Sequence, residues 1–352
     1  MSTIKMRPPV AAARQDRSFW LKEIDAESIT KPLLGEQTCD VAIVGGGYAG
    51  LWTALRIKES APDTQIVVLE ADFCGSGASG RNGGQVHSWF AEIDQLSAVV
   101  GADDALMLCR ATSDAIDELK ALQDSGTIDM GLRLDGWLWT ASSRAQEGAW
   151  NAAYEGSART GEDRFRKADA ADILAITGSS ASYVGIIEDK AGTVQPAKLA
   201  IGLRQLAMSR GIVIHERSPV LEIEPAPKAT LRTAGGNLSA TKVVLAANAW
   251  LAAIPELHPY LYIVGSQVIA TAPVPETLSR IGWTSGASIC DAQHHVLYYQ
   301  RRPAGQVIFG RGTGNIAYDD RIGASFNRGS DGGLEEKAFL HGGCLRFNSL
   351  NG

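Results

Sequence analysis

Gly45, Gly47 and Gly50 fall at the spacing G-x-G-x-x-G inside VAIVGGGYAGLW, and Glu70 follows Gly50 by twenty residues. Each position has a chemical reason for its residue type. The first glycine allows a tight turn out of a strand, the second lets the backbone approach a pyrophosphate, and the third lets helix and strand pack closely. An acid at the end of the next strand accepts hydrogen bonds from ribose hydroxyls. Phosphate would rest on the helix N-terminus, against free N–H groups and a favourable dipole, with Tyr48 and Ala49 in that first turn and Ala71 beside the acid. The chemistry is the holding of a dinucleotide.

A second glycine patch, CGSGASGRNGGQ, spans residues 74–85 and follows the acid almost at once. A glycine patch in that place, holding Arg81 and Asn82, is what a long cofactor needs where its diphosphate continues toward a ring system. A nicotinamide dinucleotide would not require it, which leaves that cofactor as the weaker reading. No Ser/His/Asp arrangement competes with the dinucleotide. The cysteines, Cys39, Cys74, Cys109, Cys290 and Cys344, are odd in number and never in C-x-x-C, so buried free thiols are expected. His294 and His295 are adjacent and would point to opposite faces of a strand, so no metal site is expected.

The elements that must position these residues are legible from periodicity. Val41-Ala42-Ile43-Val44 is a short apolar run bounded by turn residues, a buried strand of the parallel kind. Leu51, Ala54, Leu55 and Lys58 recur at helical steps, and Ile66–Leu69 is the next strand. Apolar residues over 102–123 predict a long helix, with Asp103 and Asp104 in its first turn. LRLDGWLWTAS alternates around an Asp-Gly turn, and AQEGAWNAAYEGSARTG is helical in composition. From residue 191, QPAKLAIGLRQLAMSRG predicts an amphipathic helix, IVIHERSPVLEIE one or two strands, and KVVLAANAW a buried strand. GSQVIATAPV, HHVLYYQR and GQVIFGRG predict strands of a second, antiparallel sheet.

The 352 residues predict about two domains, and the order of elements makes them interleaved. Residues 1–34 form an N-terminal arm anchored by Phe19 and Trp20; 35–100 and 191–255 form the nucleotide domain; 101–190 and 256–320 form a substrate domain. A net charge of -6 with no basic run argues against nucleic acid as a partner. Apolar stretches are strand-sized and no signal core follows the first methionine, so no membrane span and a cytoplasmic location are expected. Nothing in the sequence fixes an oligomeric state.

CDVAIVGGGYAGLWTALRIKE, VVLEAD, GSGASGRNGGQ, VQPAKLA and VVLAANAW resemble the FAD-binding segments of the D-amino acid oxidase-like (DAO) flavoproteins, nearest to their gamma-glutamylputrescine oxidase-like branch. The resemblance implies an α/β fold, a doubly wound, Rossmann-like FAD domain of the glutathione reductase type, with an interleaved α+β substrate domain built on an antiparallel sheet. It implies FAD, with ribose at Glu70, diphosphate at Gly45, Gly47 and Gly50, and the flavin end beside Ser79, Arg81, Asn82, Gly83, Gly84 and Gln85. Val220 matches the position whose backbone meets adenine, and Ala247, Asn248 and Ala249 match a small-residue turn that closes over the cofactor. His87 does not sit at the family's linking position, so the flavin is expected to be non-covalent.

The resemblance also implies an amine or amino acid substrate, oxidised at its C–N bond by hydride transfer to flavin N5, with oxygen reoxidising the flavin to give hydrogen peroxide. Substrate contacts fall on LYYQRR, where carboxylate-binding relatives carry an arginine. Tyr299 and Arg301 would share one face and Gln300 and Arg302 the other, and the family's arginine falls nearest Gln300 in one alignment and Arg302 in another. Residues 321–352 lack the family's Gly-His-Gly segment and closing helix, and His341 is a poor substitute. That tail reads as truncated, and a non-catalytic flavin-binding remnant is the alternative reading.

Overall fold

The computed structural model describes residues 3–6, 18–24, 30–225, 227–261, 263–293, 296–317 and 339–341. His294, His295 and Cys344 lie outside them, as does the 321–352 tail apart from Phe339–His341.

Two large sheets organise the chain. The first runs in the order Ile4–Lys5, Glu222–Glu224, Ala229–Arg232, Gly236–Leu245, Gly35–Val44, Ile66–Leu69, Val213–His215. Gly35–Val44 sits between two parallel partners, with Val41 opposite Ile66 on one side and Lys242 on the other. A strand in that position is covered on both faces, which is why its four last residues are all apolar and buried. Val41 and Ile43 pack beneath Leu51, Ala54 and Leu55 of the helix Tyr48–Ser60 and Leu199 and Leu203 of the helix Pro196–Ser209. Ala42 and Val44 face the other core, with Val220, Leu238 and Ile254. Pro196 opens its helix at a position where no backbone N–H is needed, and Gln195 caps it by accepting from Lys198 N at 2.8 Å.

The second sheet runs Phe339–His341, Ile263–Thr271, Val307–Ala317, Leu297–Arg301, Ser288–Asp291, Trp137–Ala141, Val184–Glu188, Phe165–Ala168. Its pairings are antiparallel except between Ser288–Asp291 and Trp137–Ala141, which run parallel. The Asp-Gly alternation does not make a hairpin. Gly136, at φ 94°, turns the chain and its N–H donates to Ala191 O, so Arg133 makes only an isolated bridge to Thr193 while Trp137–Ala141 enters the sheet.

The helix Ala102–Asp124 buttresses both halves: Cys109 packs with Trp137 and Trp150, whereas Leu119 and Leu122 pack on the first sheet's core. The arm is likewise interior in part. Phe19, Trp20 and Leu21 are buried with Phe73, Ala197, Val268, Ala270 and Ile308, and Ile4–Lys5 extends the first sheet's edge. The four described cysteines are free and buried. No helix among the described residues is long and apolar enough to cross a membrane.

Candidate cofactor site

Gly35–Val44 ends in the turn that starts the helix Tyr48–Ser60. Gly45 has φ 112°, and a Cβ there would lie 2.5 Å from Ala246 O; a Cβ on Gly50 would lie 2.0 Å from Gly45 O. Neither position tolerates a side chain, because the obstructing atoms are backbone. The N-cap, Gly47, supplies no side-chain cap. Instead Tyr48 N donates to Ser79 Oγ at 2.9 Å, a hydroxyl delivered from the second glycine patch.

A cavity of about 580 Å³ opens above this helix N-terminus. One wall is the glycine turn, with Gly45, Gly47, Tyr48 and Ala49. Glu70 and Ala71 form the next. Glu70 Oε2 accepts from Gly46 N at 2.6 Å and Oε1 from Asp72 N at 3.0 Å. Burial raises its pKa, opposed by those two backbone donors. Val220, Leu245 and Leu251 make an apolar end suited to a flat heterocycle, and Ala247, Asn248 and Trp250 line the same cavity. Asn248 takes φ 47°, a left-handed conformation that Asn accepts more readily than most residues.

The second patch divides into two roles. Ser76, Ala78, Ser79 and Asn82 line the cavity, while Arg81, Gly83, Gly84 and Gln85 lie outside its wall. Asn82 Oδ1 accepts from Gly84 N at 2.8 Å, and its Nδ2 donates to Ser79 O at 3.1 Å. The buried Arg81 donates from Nε to Ser76 O at 2.6 Å and braces the loop. Gly83 lies beneath Tyr298, whose ring would be 2.6 Å from a Cβ at that position. Gln85 reaches Cys290 Sγ at 3.6 Å, which also accepts from Trp137 Nε1 at 3.2 Å. Burial pushes the Cys290 thiol up to about 11. His87 stacks on Trp137 at 4.8 Å between ring centroids, and burial lowers its pKa.

The strand Leu297–Arg301 presents Tyr298 and Gln300 to the patch, with Gln300 Nε2 donating to Gly83 O. Tyr299 and Arg301 take the opposite face: Tyr299 packs on Trp283 and Phe309, and Arg301 Nη1 donates to Thr284 O at 2.9 Å. Arg302, one residue beyond the strand, pairs with Glu23 and lies over the rings of Phe19 and Trp20. Of the four substrate candidates only Gln300 meets the glycine patch. Ser76, Ala246 and Trp250 line the cavity from inside segments quoted above but not singled out there, and Met6 and Leu251 line it from outside them. Trp250 was within reach, since it ends the VVLAANAW segment; Met6 carried no signal.

The residues present fit a flavin dinucleotide. A glycine cradle that a Cβ would fill, an acid at the end of the neighbouring parallel strand and a second small-residue loop all border one cavity.

Comparison with known proteins agrees. Residues 40–341 match the family described as FAD dependent oxidoreductase, DAO. Gamma-glutamylputrescine oxidoreductase of Escherichia coli (strain K12) is 33% identical over 279 residues, covering 78% of this chain and 65% of that protein. The chain thus spans just under two thirds of that relative's length. Glycine oxidase of Geobacillus kaustophilus (strain HTA426) is 28% identical over 243 residues, 67% of this chain and 62% of that one. Among solved structures, glycine oxidase from Geobacillus kaustophilus superposes with a TM-score of 0.61 at 22% identity, covering 79% of this chain and 73% of that chain. NikD, described as an unusual amino acid oxidase, superposes at 0.59 with 22% identity, 81% of this chain and 72% of that chain.

Proposed function

The chain belongs to the FAD-dependent oxidoreductase (DAO) family, and from that premise we propose that it binds FAD non-covalently and oxidises the C–N bond of an amine that carries no carboxylate beside the reacting carbon. Bound FAD supplies the two-electron acceptor for that oxidation, with oxygen as terminal oxidant and hydrogen peroxide as its product. Glu70 would hold the adenosine ribose, the Gly45–Gly50 turn the diphosphate, and Val220 and Leu251 the adenine. The protein's contribution to the reaction is position and the exclusion of water, and Tyr298, Gln300 and the Gly83-Gly84 backbone would form the floor on which the flavin end and the amine meet.

The observation that carries the choice of substrate class is where the strand's two arginines are placed. Gripping a carboxylate calls for a guanidinium free to bind it bidentately. Arg301 lies on the face away from the patch, with Nη1 donating to Thr284 O, and Arg302 is held by Glu23 over two aromatic rings. The face toward the patch offers a phenol and an amide instead. Gamma-glutamylated and simple primary or secondary amines are therefore the first substrates to try.

The test is an absorbance spectrum of purified protein after incubation with FAD, followed by peroxide and dye-reduction assays on matched pairs of amines and their α-carboxylated analogues. Flavin bands with amine-dependent turnover are expected. Turnover only with α-amino acids would reverse the substrate assignment, and FAD uptake without turnover on any amine would leave a protein that holds the cofactor without using it.

A further inference from the structure

The short helix Phe19–Lys22 touches none of the cavity, yet it grips the loop that forms one cavity wall. Ser18 Oγ donates to Gly80 O at 2.6 Å and Trp20 Nε1 donates to Asn82 O at 2.8 Å. Both acceptors belong to the second glycine patch, more than sixty positions away in sequence. The donors are themselves fixed. Ser18 caps its own helix by accepting from Leu21 N at 3.2 Å, and Gln195 Nε2 donates to Trp20 O at 2.9 Å. Trp20 is 2% exposed, and the Arg302 guanidinium lies 4.9 Å from its ring centroid. The helix is therefore tied at once to the patch, to the cap of Pro196–Ser209 and to the end of the second sheet's strand.

We propose that Trp20 is a positioning residue for the cofactor: through its hydrogen bond to Asn82 O, it sets where the 79–84 turn stands against the flavin end. The route is short. Asn82 holds Gly84 N through Oδ1 and Ser79 O through Nδ2, and Ser79 Oγ accepts from Tyr48 N at the helix terminus that would face the diphosphate. Releasing Asn82 O would loosen both the hydroxyl at the diphosphate end and the backbone at the flavin end. By reciprocity of linked equilibria, a bound cofactor would in turn protect the helix from local opening.

The inference rests on FAD as the ligand. Trp20→Phe keeps an aromatic side chain and deletes the donor, Phe19→Leu alters packing and no hydrogen bond, and Ser18→Ala removes the second tie. Each is titrated with FAD, and the visible spectrum of the bound flavin and the melting temperature of the apoprotein are recorded. The expected result for Trp20→Phe is a Kd for FAD raised about three- to tenfold, together with a shifted or broadened flavin spectrum. Ser18→Ala should weaken FAD in the same direction, while Phe19→Leu lowers the apoprotein melting temperature and leaves the flavin spectrum unchanged. Unaltered affinity and spectrum in Trp20→Phe would overturn the inference, and so would losses confined to apoprotein stability. Should Trp20→Phe fail to fold, Ser18→Ala decides by the same two readouts. Failure of the wild-type protein to bind FAD would sink the cofactor assignment itself, a separate outcome.

Discussion

Replacing Glu70 by Ala separates the backbone contacts that this carboxylate makes from the ribose contact proposed for it. In the protein alone, Glu70 satisfies two backbone donors, Gly46 N at 2.6 Å and Asp72 N at 3.0 Å. Its removal leaves both unpaired beside the cavity. A buried donor without a partner costs about 1–3 kcal/mol, but water entering the space left by the side chain would satisfy part of that, so the apoprotein is expected to lose about 1–3 kcal/mol in total. With FAD bound, the ribose hydroxyls would lose their acceptor as well, at a further ~1–3 kcal/mol, or about five- to 150-fold in Kd. Glu70→Gln should fall between, because the amide oxygen can still accept one bond while its NH2 meets a donor. The assay is paired: urea unfolding of apoprotein for the first term, fluorescence titration with FAD for the second. An apoprotein destabilised as stated but with FAD affinity within twofold of wild type would show that Glu70 merely pins the Gly46 turn, and the ribose assignment would be wrong.

Gly50→Ala should abolish FAD uptake and lower solubility, since its Cβ would lie 2.0 Å from a backbone oxygen that cannot move without breaking the turn; retention of normal flavin bands after purification would refute this. Gln300→Leu removes the donor to Gly83 O and should shift the bound flavin's visible spectrum, with FAD affinity reduced by about 1 kcal/mol; a spectrum identical to wild type would detach this strand from the site. Glu188 is buried, accepts from Ser88 Oγ at 2.5 Å, and burial raises its pKa above the ordinary 4.5. A raised carboxyl favours the fold fully below its ordinary pKa and loses that contribution as pH rises through the folded value. Glu188→Gln should therefore flatten apoprotein stability on the alkaline side of pH 4.5, and parallel wild-type and variant profiles would contradict the sign.

The nucleotide half was legible because its signals are local. Strand, glycine turn, helix, strand and acid succeed one another within residues 41–70, and each needs only its neighbours to be recognised. The second half depended on pairings across long stretches of chain. Whether Tyr298 or Tyr299 faces the glycine patch is a one-residue question of register, and a period of two sends successive side chains to opposite faces. Here the register is fixed by Tyr299 opposite Ile289 and Phe309, and Tyr298 opposite Cys290 and Gly310. Gly310 leaves space beside the Tyr298 ring, since a Cβ there would lie 2.1 Å from it, and no local pattern announces that. The parallel pairing of Ser288–Asp291 with Trp137–Ala141 joins segments about 150 positions apart, and periodicity carries no partner identity. The aromatic arm was visible as an anchor, but its acceptors at Gly80 and Asn82 were not, since they are backbone carbonyls.

The same long-range logic explains what holds the Glu70 end of the cavity in place. Glu216, 1% exposed, accepts from Cys74 N at 2.7 Å, Thr30 N at 2.6 Å and Arg204 Nη2 at 3.0 Å. The next residues continue the pattern, with Arg217 N donating to Asp72 O and Ser218 N to Glu70 O, both at 2.8 Å. Isolated buried ion pairs contribute little net stability because desolvation offsets attraction, whereas breaking one is costly. This pair is better understood by what it holds. It fixes the 70–74 turn to a strand of the same sheet and brings Cys74 Sγ against Gly46, where a Cβ would lie 2.6 Å from the sulfur. Three segments remote in sequence, 30–33, 70–74 and 204–218, thereby meet around one carboxylate, and the backbone at Glu70 and Asp72 is held by hydrogen bonds from Ser218 N and Arg217 N. A preformed acceptor spends less of its binding energy on ordering, so the ribose contact proposed for Glu70 would depend on a second acid, Glu216, that carries no motif at all.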